Sequence, residues 1–282
     1  MTRLAAVFGG GGIVGLGWEL GVVEGLREAG VDLATADRSV GTSAGAIVGA
    51  VLAVGLPIEE LPERADELGP DLETLTSQVD LARVDEIGER WRAAGMRPSR
   101  SERAAIGALA LAAPAAPPDV FVAVLGRLLP EHAWPSGLVV TAVRATDGGF
   151  VTWDSASGVA LPTAVAASCA LPGVFAPVRV GEERYVDGGV RSPLNLDLAA
   201  GADLAVLLAP SGRDELADVI ATEAEPVVAQ GGRVVEVLPD AAGLTAIGPD
   251  LMDVERLLPA AMAGYEHGLR AADELAATVR AA

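Results

Sequence analysis

The amino-acid sequence predicts an α/β fold built on a largely parallel sheet. Two observations carry that expectation. Short apolar runs rich in Val, Leu and Ala alternate with longer stretches of helical periodicity. Two of those runs also end in glycine-rich turns that open directly into helices, as strand-to-helix units do. With 282 residues, 51% of them hydrophobic, the chain has enough apolar surface to bury a full core.

Each element can be justified in order. Leu4 to Phe8 is a buried-strand candidate that ends in four glycines. Leu16, Leu20, Val23 and Leu26 then recur at helical spacing until Gly30 stops the run. Ser39 and Val40 form a short strand running into Gly41, and Ala46 to Val54 reads as the next helix. Leu138 to Val143, Leu204 to Ala209 and Val234 to Leu238 are further strand candidates, and Glu183 to Val186 is strand-like. Asp250 to Ala281 reads as a C-terminal helix with a break near Pro259. Between Pro57 and Pro135 strand-like runs vanish and prolines punctuate helix formers. The expectation is a single domain, 1–282, with a helical insertion at about 57–135, as a cap over a cleft or as further outer helices.

Composition excludes several functions. The formal net charge of −19 argues against a nucleic-acid partner, which needs a basic face. A single cysteine, Cys169, cannot form an internal disulfide. Every basic residue is Arg, so Schiff-base and Ser–Lys chemistry are closed. Two histidines cannot build a His-rich metal site, and neither a metal nor a cofactor is expected. The apolar run Leu4 to Phe8 is too short for a signal-peptide core, and the stretch Ala104 to Ala116 is interrupted by Pro114. A soluble, cytoplasmic protein is expected, with export lacking a cleavable signal left open. Oligomeric state is not legible.

Gly10, Gly12 and Gly15 satisfy G-x-G-x-x-G between a strand and a helix. The turn has three readings. It can cradle pyrophosphate on backbone amides, with Asp32 or Asp37 at about the spacing of a ribose-binding acid. Its amides can instead hold the oxyanion of an acyl-transfer intermediate. Or it simply lets strand and helix pack closely.

Gly41-Thr42-Ser43-Ala44-Gly45 is G-x-S-x-G, again between a short strand and a helix. Such a turn presents the serine hydroxyl at the sheet edge and aims a helix N-terminus at it. Two glycine-framed turns within the first 45 residues favour an amide donor set beside a nucleophile, since a dinucleotide fold has no need of the serine.

A serine nucleophile needs a base. His132 reads as a loop residue and His267 as a solvated helix position. Asp187 is the better candidate: it follows a strand, and Gly188 and Gly189 leave its carboxylate in a tight turn with room for a ligand. Asp147-Gly148-Gly149 reads as a hairpin turn.

The ordered set G-G-G-G-x-x-G, G-T-S-A-G, Ala167 to Val178 (A-S-C-A-L-P-G-V-F-A-P-V) and V-D-G-G resembles the bacterial branch of the patatin-like phospholipases. Ala145-Thr146-Asp147 and Gly264-Tyr265 extend the similarity over nearly the whole chain. The resemblance implies a three-layer α/β/α sandwich and a Ser–Asp dyad without histidine. It makes Ser43 the nucleophile and Asp187 the general base. The amides around Gly10, Gly11, Gly12 and Gly15 would form the oxyanion hole, and Gly41, Gly45, Gly188 and Gly189 would be motif glycines. It places the segment of Leu171, Val174 and Phe175 near the site, although most of those apolar residues read as ordinary core. In one departure, Val14 stands where the family usually carries Arg or Lys. The expected function is hydrolysis of lipid acyl esters through an acyl-Ser43 intermediate, with at most weak, transient contact with a membrane surface. Hydrolysis of soluble acyl esters or thioesters, and a non-enzymatic nucleotide-binding module, are the alternatives.

Overall fold

The computed structural model describes residues 2–61, 79, 81–129 and 134–281. The elements, numbered in chain order, are β1 (Leu4–Phe8), α1 (Gly12–Glu28), β2 (Arg38–Gly41), α2 (Ala44–Val54), α3 (Leu81–Ala93), α4 (Arg100–Ala112), α5 (Pro118–Leu128), β3 (Leu138–Arg144), β4 (Phe150–Trp153), α6 (Leu161–Ser168), β5 (Val178–Val180), β6 (Glu183–Asp187), β7 (Leu204–Leu208), α7 (Arg213–Ala229), β8 (Arg233–Val237), α8 (Ala241–Ile247) and α9 (Leu257–Ala281). The fold is mixed α/β, as the alternating pattern predicts. It comprises two units, Met1–Gly55 with Leu194–Ala282, and Leu56–Pro193.

In the first unit four parallel strands run in the order β2-β1-β7-β8 and are flanked by helices. Parallel neighbours require crossover connections, and α1 and α7 supply two of them. β1 lies between β2 and β7, which explains why Ala5 to Phe8 is apolar at every position and fully buried. The strand order changes direction at β1: β2 lies on one side and β7 on the other. The C-terminal end of β1 is therefore a topological switch point, where α/β sheets bind ligands.

Helix α1 packs on α9 through small residues spaced four apart. A Cβ added to Gly21 would lie 2.0 Å from the Ala261 carbonyl oxygen, and one on Gly25 2.2 Å from that of Tyr265. Gly264 and Gly268 answer from α9 against Trp18 and Val22. The Tyr265 hydroxyl donates to Glu28 Oε2 at 2.5 Å and closes the pair at its far end.

The second unit carries the antiparallel strands β5-β6-β3-β4. Tight turns join β3 to β4 and β5 to β6, as antiparallel neighbours allow, while α6 lies between β4 and β5. Asp147 to Gly149 makes the β3–β4 hairpin turn: Gly148 has φ +67 and Gly149 donates its N–H to Asp147 Oδ1 at 2.9 Å. Helix α4 begins with a capping box, Ser99 and Glu102, and packs Ile106 and Ala110 onto Val143 and Val186.

Three details differ from the sequence reading. The short strands β4 and β5 were not anticipated, because Phe150–Trp153 and Val178–Val180 are too brief to show a period. Helices α6, α7 and α8 were not anticipated either. The C-terminal helix begins at Leu257, not Asp250, since Asp250 and Asp253 turn their carboxylates onto the amides of Met252 and Glu255. Pro259 falls in its first turn, where a missing N–H costs nothing.

Candidate active site

In the first unit the glycine turn and the serine turn are bonded to each other through the backbone. The Phe8 carbonyl accepts from Thr42 at 3.1 Å, and the Gly9 carbonyl accepts from Gly45 at 3.0 Å. This close approach requires glycine at 45, where a Cβ would meet the Phe8 oxygen at 2.2 Å. Gly41 is equally constrained, its absent Cβ lying 2.5 Å from the Ala46 Cα.

Ser43 stands between them with φ 54 and ψ −122. A non-glycine residue held at positive φ is strained, by about 1–3 kcal/mol. That strain is characteristic of a serine turned outward between strand and helix. Thr42 and Ala44 are buried while Ser43 is half-buried, and its hydroxyl does not cap α2. Thr42 is held in turn by Asn195, whose Nδ2 donates to Thr42 Oγ1 at 3.0 Å. Asn195 is itself in the left-handed region, φ 53.

At the other turn Gly12 has φ +59, and a Cβ there would lie 2.5 Å from the Leu251 carbonyl oxygen. As α1 starts at Gly12, the first amides have no intrahelical acceptor. Among the described residues no group accepts from the N–H of Gly10, Gly11 or Gly12. Two neighbouring amides are occupied: Val14 donates to Leu251 at 3.1 Å and Gly15 to the Gly11 carbonyl at 2.8 Å. Gly15 also packs against Pro210, where a Cβ would come to 2.6 Å. The Val14 side chain is fully buried, so an apolar core contact stands where the resemblance implies Arg or Lys.

The acids weighed for a ribose serve the local backbone instead. Asp32 accepts from Ala34 at 2.9 Å and Asp37 from Leu4 at 2.8 Å.

In the second unit Asp187 ends β6, is 2% exposed and receives the Gly189 N–H on Oδ1 at 2.7 Å. Its own N–H donates to Ala170 at 3.0 Å. Gly188 lies so close to β3 that a Cβ would meet Thr141 Oγ1 at 2.1 Å, and the Gly189 carbonyl accepts from Trp91 Nε1 at 2.9 Å. Cys169 is buried nearby: burial first, and the charge of Asp187 second, push its thiol well above the ordinary range. Val174 is buried, and Phe175 stacks on Phe121 with ring centres 4.5 Å apart, so both pack within this unit.

His267 is not on a solvated face. It packs against Trp18, with centroids 5.8 Å apart, and its Nδ1 lies 3.7 Å from Asp240 Oδ2. Burial lowers its proton affinity. His132 lies outside the described residues. Among the described residues no three His, Cys, Asp or Glu side chains converge as a metal site requires, and no helix is long and apolar enough to cross a membrane.

Sequence reasoning missed two residues that support these turns. Asn195 is one. The other is Glu19, fully buried on α1 with Oε1 accepting the Gly9 N–H at 2.9 Å. A helical acid ordinarily reads as a solvated position, and only its place four residues beyond Gly15 and between Trp18 and Leu20 hinted otherwise.

Comparison with known proteins bears on these turns. A family model described as patatin-like phospholipase matches residues 6–200. Uncharacterized NTE family proteins of Mycobacterium bovis and Mycobacterium tuberculosis are 30% identical over 214 residues, covering 75% of this chain and 50% of theirs. The chain thus spans about half the length of the curated relatives it matches. Among solved structures, VipD from Legionella pneumophila aligns with a TM-score of 0.43 at 16% identity, over 96% of this chain and 66% of its own. The type III effector protein ExoU aligns with a TM-score of 0.44 at 16% identity, over 97% and 53%.

Proposed function

The chain belongs to the patatin-like phospholipase family, and on that footing we propose that it is a serine acyl hydrolase of lipid esters with Ser43 as nucleophile and Asp187 as general base. The observation that carries this reading is the backbone of Ser43, a non-glycine residue at φ 54 at the end of β2. Strain of this kind is retained where it presents a reacting group.

In the proposed reaction Ser43 Oγ attacks the ester carbonyl carbon while its proton passes to the Asp187 carboxylate. The carbonyl oxygen becomes an oxyanion, received by the amides of Gly10, Gly11 and Gly12. Gly15 is left out of this donor set because its N–H closes the first turn of α1. The departing alcohol takes the proton from Asp187 as the tetrahedral intermediate collapses to an acyl-serine. Asp187 then accepts a proton from water, whose oxygen attacks the acyl carbon, and Ser43 is regenerated with that proton. The burial of Asp187, 2% exposed, and the Gly189 N–H on its Oδ1 support the role by holding the carboxyl group in one orientation.

A fluorophosphonate probe tests the assignment: it should label the wild-type chain and leave Ser43→Ala unlabelled. Labelling that survives the substitution would overturn Ser43 as nucleophile. A chain-length series of acyl esters, with and without lipid vesicles, separates a lipid hydrolase from an esterase or thioesterase on soluble substrates. The net charge of −19, with no Lys, favours at most weak contact with anionic surfaces, which attract polybasic segments.

A further inference from the structure

We infer that Glu19 is a positioning residue of the proposed hydrolase, holding Gly9 so that the glycine turn and the serine turn keep one geometry; the inference rests on the reading of Ser43 given above. Glu19 lies in the second turn of α1 and is 0% exposed. Its Oε1 accepts the Gly9 N–H at 2.9 Å, an N–H that is shared with the Leu208 carbonyl at the end of the β1–β7 ladder, also at 2.9 Å. The carbonyl of the same glycine accepts the Gly45 N–H at 3.0 Å. Gly9 thus has the carboxyl of Glu19 on one side and the second residue after Ser43 on the other, and it immediately precedes the amides proposed to receive the oxyanion. A shift of Gly9 would move both partners of the reaction at once.

The carboxyl is costly where it stands. Among the described residues Oε2 is buried without a hydrogen-bond partner. A buried polar atom left unsatisfied bears its full cost of desolvation, which an apolar side chain of the same length would avoid. β1, β7 and α2 carry no titratable side chain, and in the turn Val254–Arg256 that packs on α1, Arg256 pairs with Asp253. On the faces toward α8 and α9, His267 and Arg270 both pair with Asp240, and Tyr265 bonds to Glu28. No charged group sets the state of Glu19; burial raises its proton affinity well above the usual carboxylate range, and the bond from Gly9 opposes that rise only in part. Burial thus favours the protonated form of a carboxyl whose hydrogen bond among the described residues goes to the glycine turn.

The test uses the full chain and the soluble ester p-nitrophenyl butyrate, with kcat and KM measured separately. Glu19→Gln keeps an acceptor at the same reach and is expected to hold kcat within about twofold of wild type. Glu19→Met fills the volume without an acceptor, and Glu19→Asp withdraws the acceptor by one methylene. Each is expected to lower kcat by about tenfold to a hundredfold at unchanged KM, since misplacement by about 1 Å has effects of that size. Should Glu19→Met lose its cooperative melt, Glu19→Asp decides. Wild-type kcat in Glu19→Asp, a raised KM at unchanged kcat, or a Glu19→Gln variant as impaired as Glu19→Met would overturn the inference. Ser43→Ala is run beside them. Wild-type turnover by Ser43→Ala would overturn the reading of the site and this inference with it, whereas Ser43-dependent turnover that is indifferent to Glu19 would overturn this inference alone.

Discussion

Asn195 donates to Thr42 Oγ1 across 3.0 Å, and both side chains are fully buried. The bond joins positions 153 residues apart and fixes the residue immediately before Ser43. A buried polar pair of this kind contributes little net stability when satisfied, but it is costly to break from one side only. Asn195→Ala should therefore destabilise the chain by about 1–3 kcal/mol in chemical denaturation, and Asn195→Gly, which relaxes the positive φ but still lacks the amide, should destabilise it less. Equal losses in the two variants would show that backbone strain at 195 plays no part.

Ser43 is held at φ 54, which glycine tolerates and serine does not. Ser43→Gly should raise stability by about 1 kcal/mol, the relief of strain exceeding the entropy lost by glycine. Ser43→Ala keeps the strained backbone and should leave the melting temperature near wild type. Both should be silent toward a fluorophosphonate probe. A Ser43→Gly variant less stable than Ser43→Ala would remove the argument from strain.

Asp187→Asn keeps an acceptor for the Gly189 N–H, now 2.7 Å from Oδ1, while removing the carboxylate proposed as general base. The variant should melt as a folded protein and turn over at less than about one hundredth of the wild-type rate, the loss expected for a removed general base. His267→Ala and His132→Ala should stay active. His267 packs on Trp18, so its removal should be read in stability rather than in kcat. Activity that vanishes with either histidine would point to a triad in place of the dyad.

Glu19 makes stability depend on pH in a direction that can be worked out. Its proton affinity in the folded chain is raised well above the ordinary value of 4.5. Between that value and the raised one, the folded chain binds a proton that the unfolded chain has lost, so stability falls as pH rises through this window. Glu19→Gln has no such proton to bind. Its melting temperature relative to wild type should climb as pH rises above the ordinary carboxylate value of 4.5, and a difference that stays constant with pH would refute the raised proton affinity of Glu19.

Much of the site was legible locally. Gly9 to Gly12 follows an apolar run, Gly41 to Gly45 frames a serine, and Asp187 precedes two glycines. Each pattern is contained within a few residues, because a turn is specified by the residues that make it. The strands β1 and β7 were legible for a related reason: buried parallel strands read as apolar runs. The short strands β4 and β5 were not, since three or four residues carry no period and take their pairing from β3 and β6.

The sequence by itself thus determined the α/β class, the two glycine-framed turns and the residue types placed in them, and the family to which the chain belongs. The tertiary structure alone decided how those turns are held. It committed the amides of Val14 and Gly15 to Leu251 and Gly11 while leaving those of Gly10 to Gly12 without an acceptor among the described residues. It also set Asn195 against Thr42, put His267 on Trp18 rather than in solvent, and buried Glu19 with its carboxyl bonded to Gly9. The division has a physical cause. Conformational preference acts over a turn or two of chain, whereas burial and hydrogen-bond partnership depend on segments far apart in sequence that meet only when the sheet is assembled.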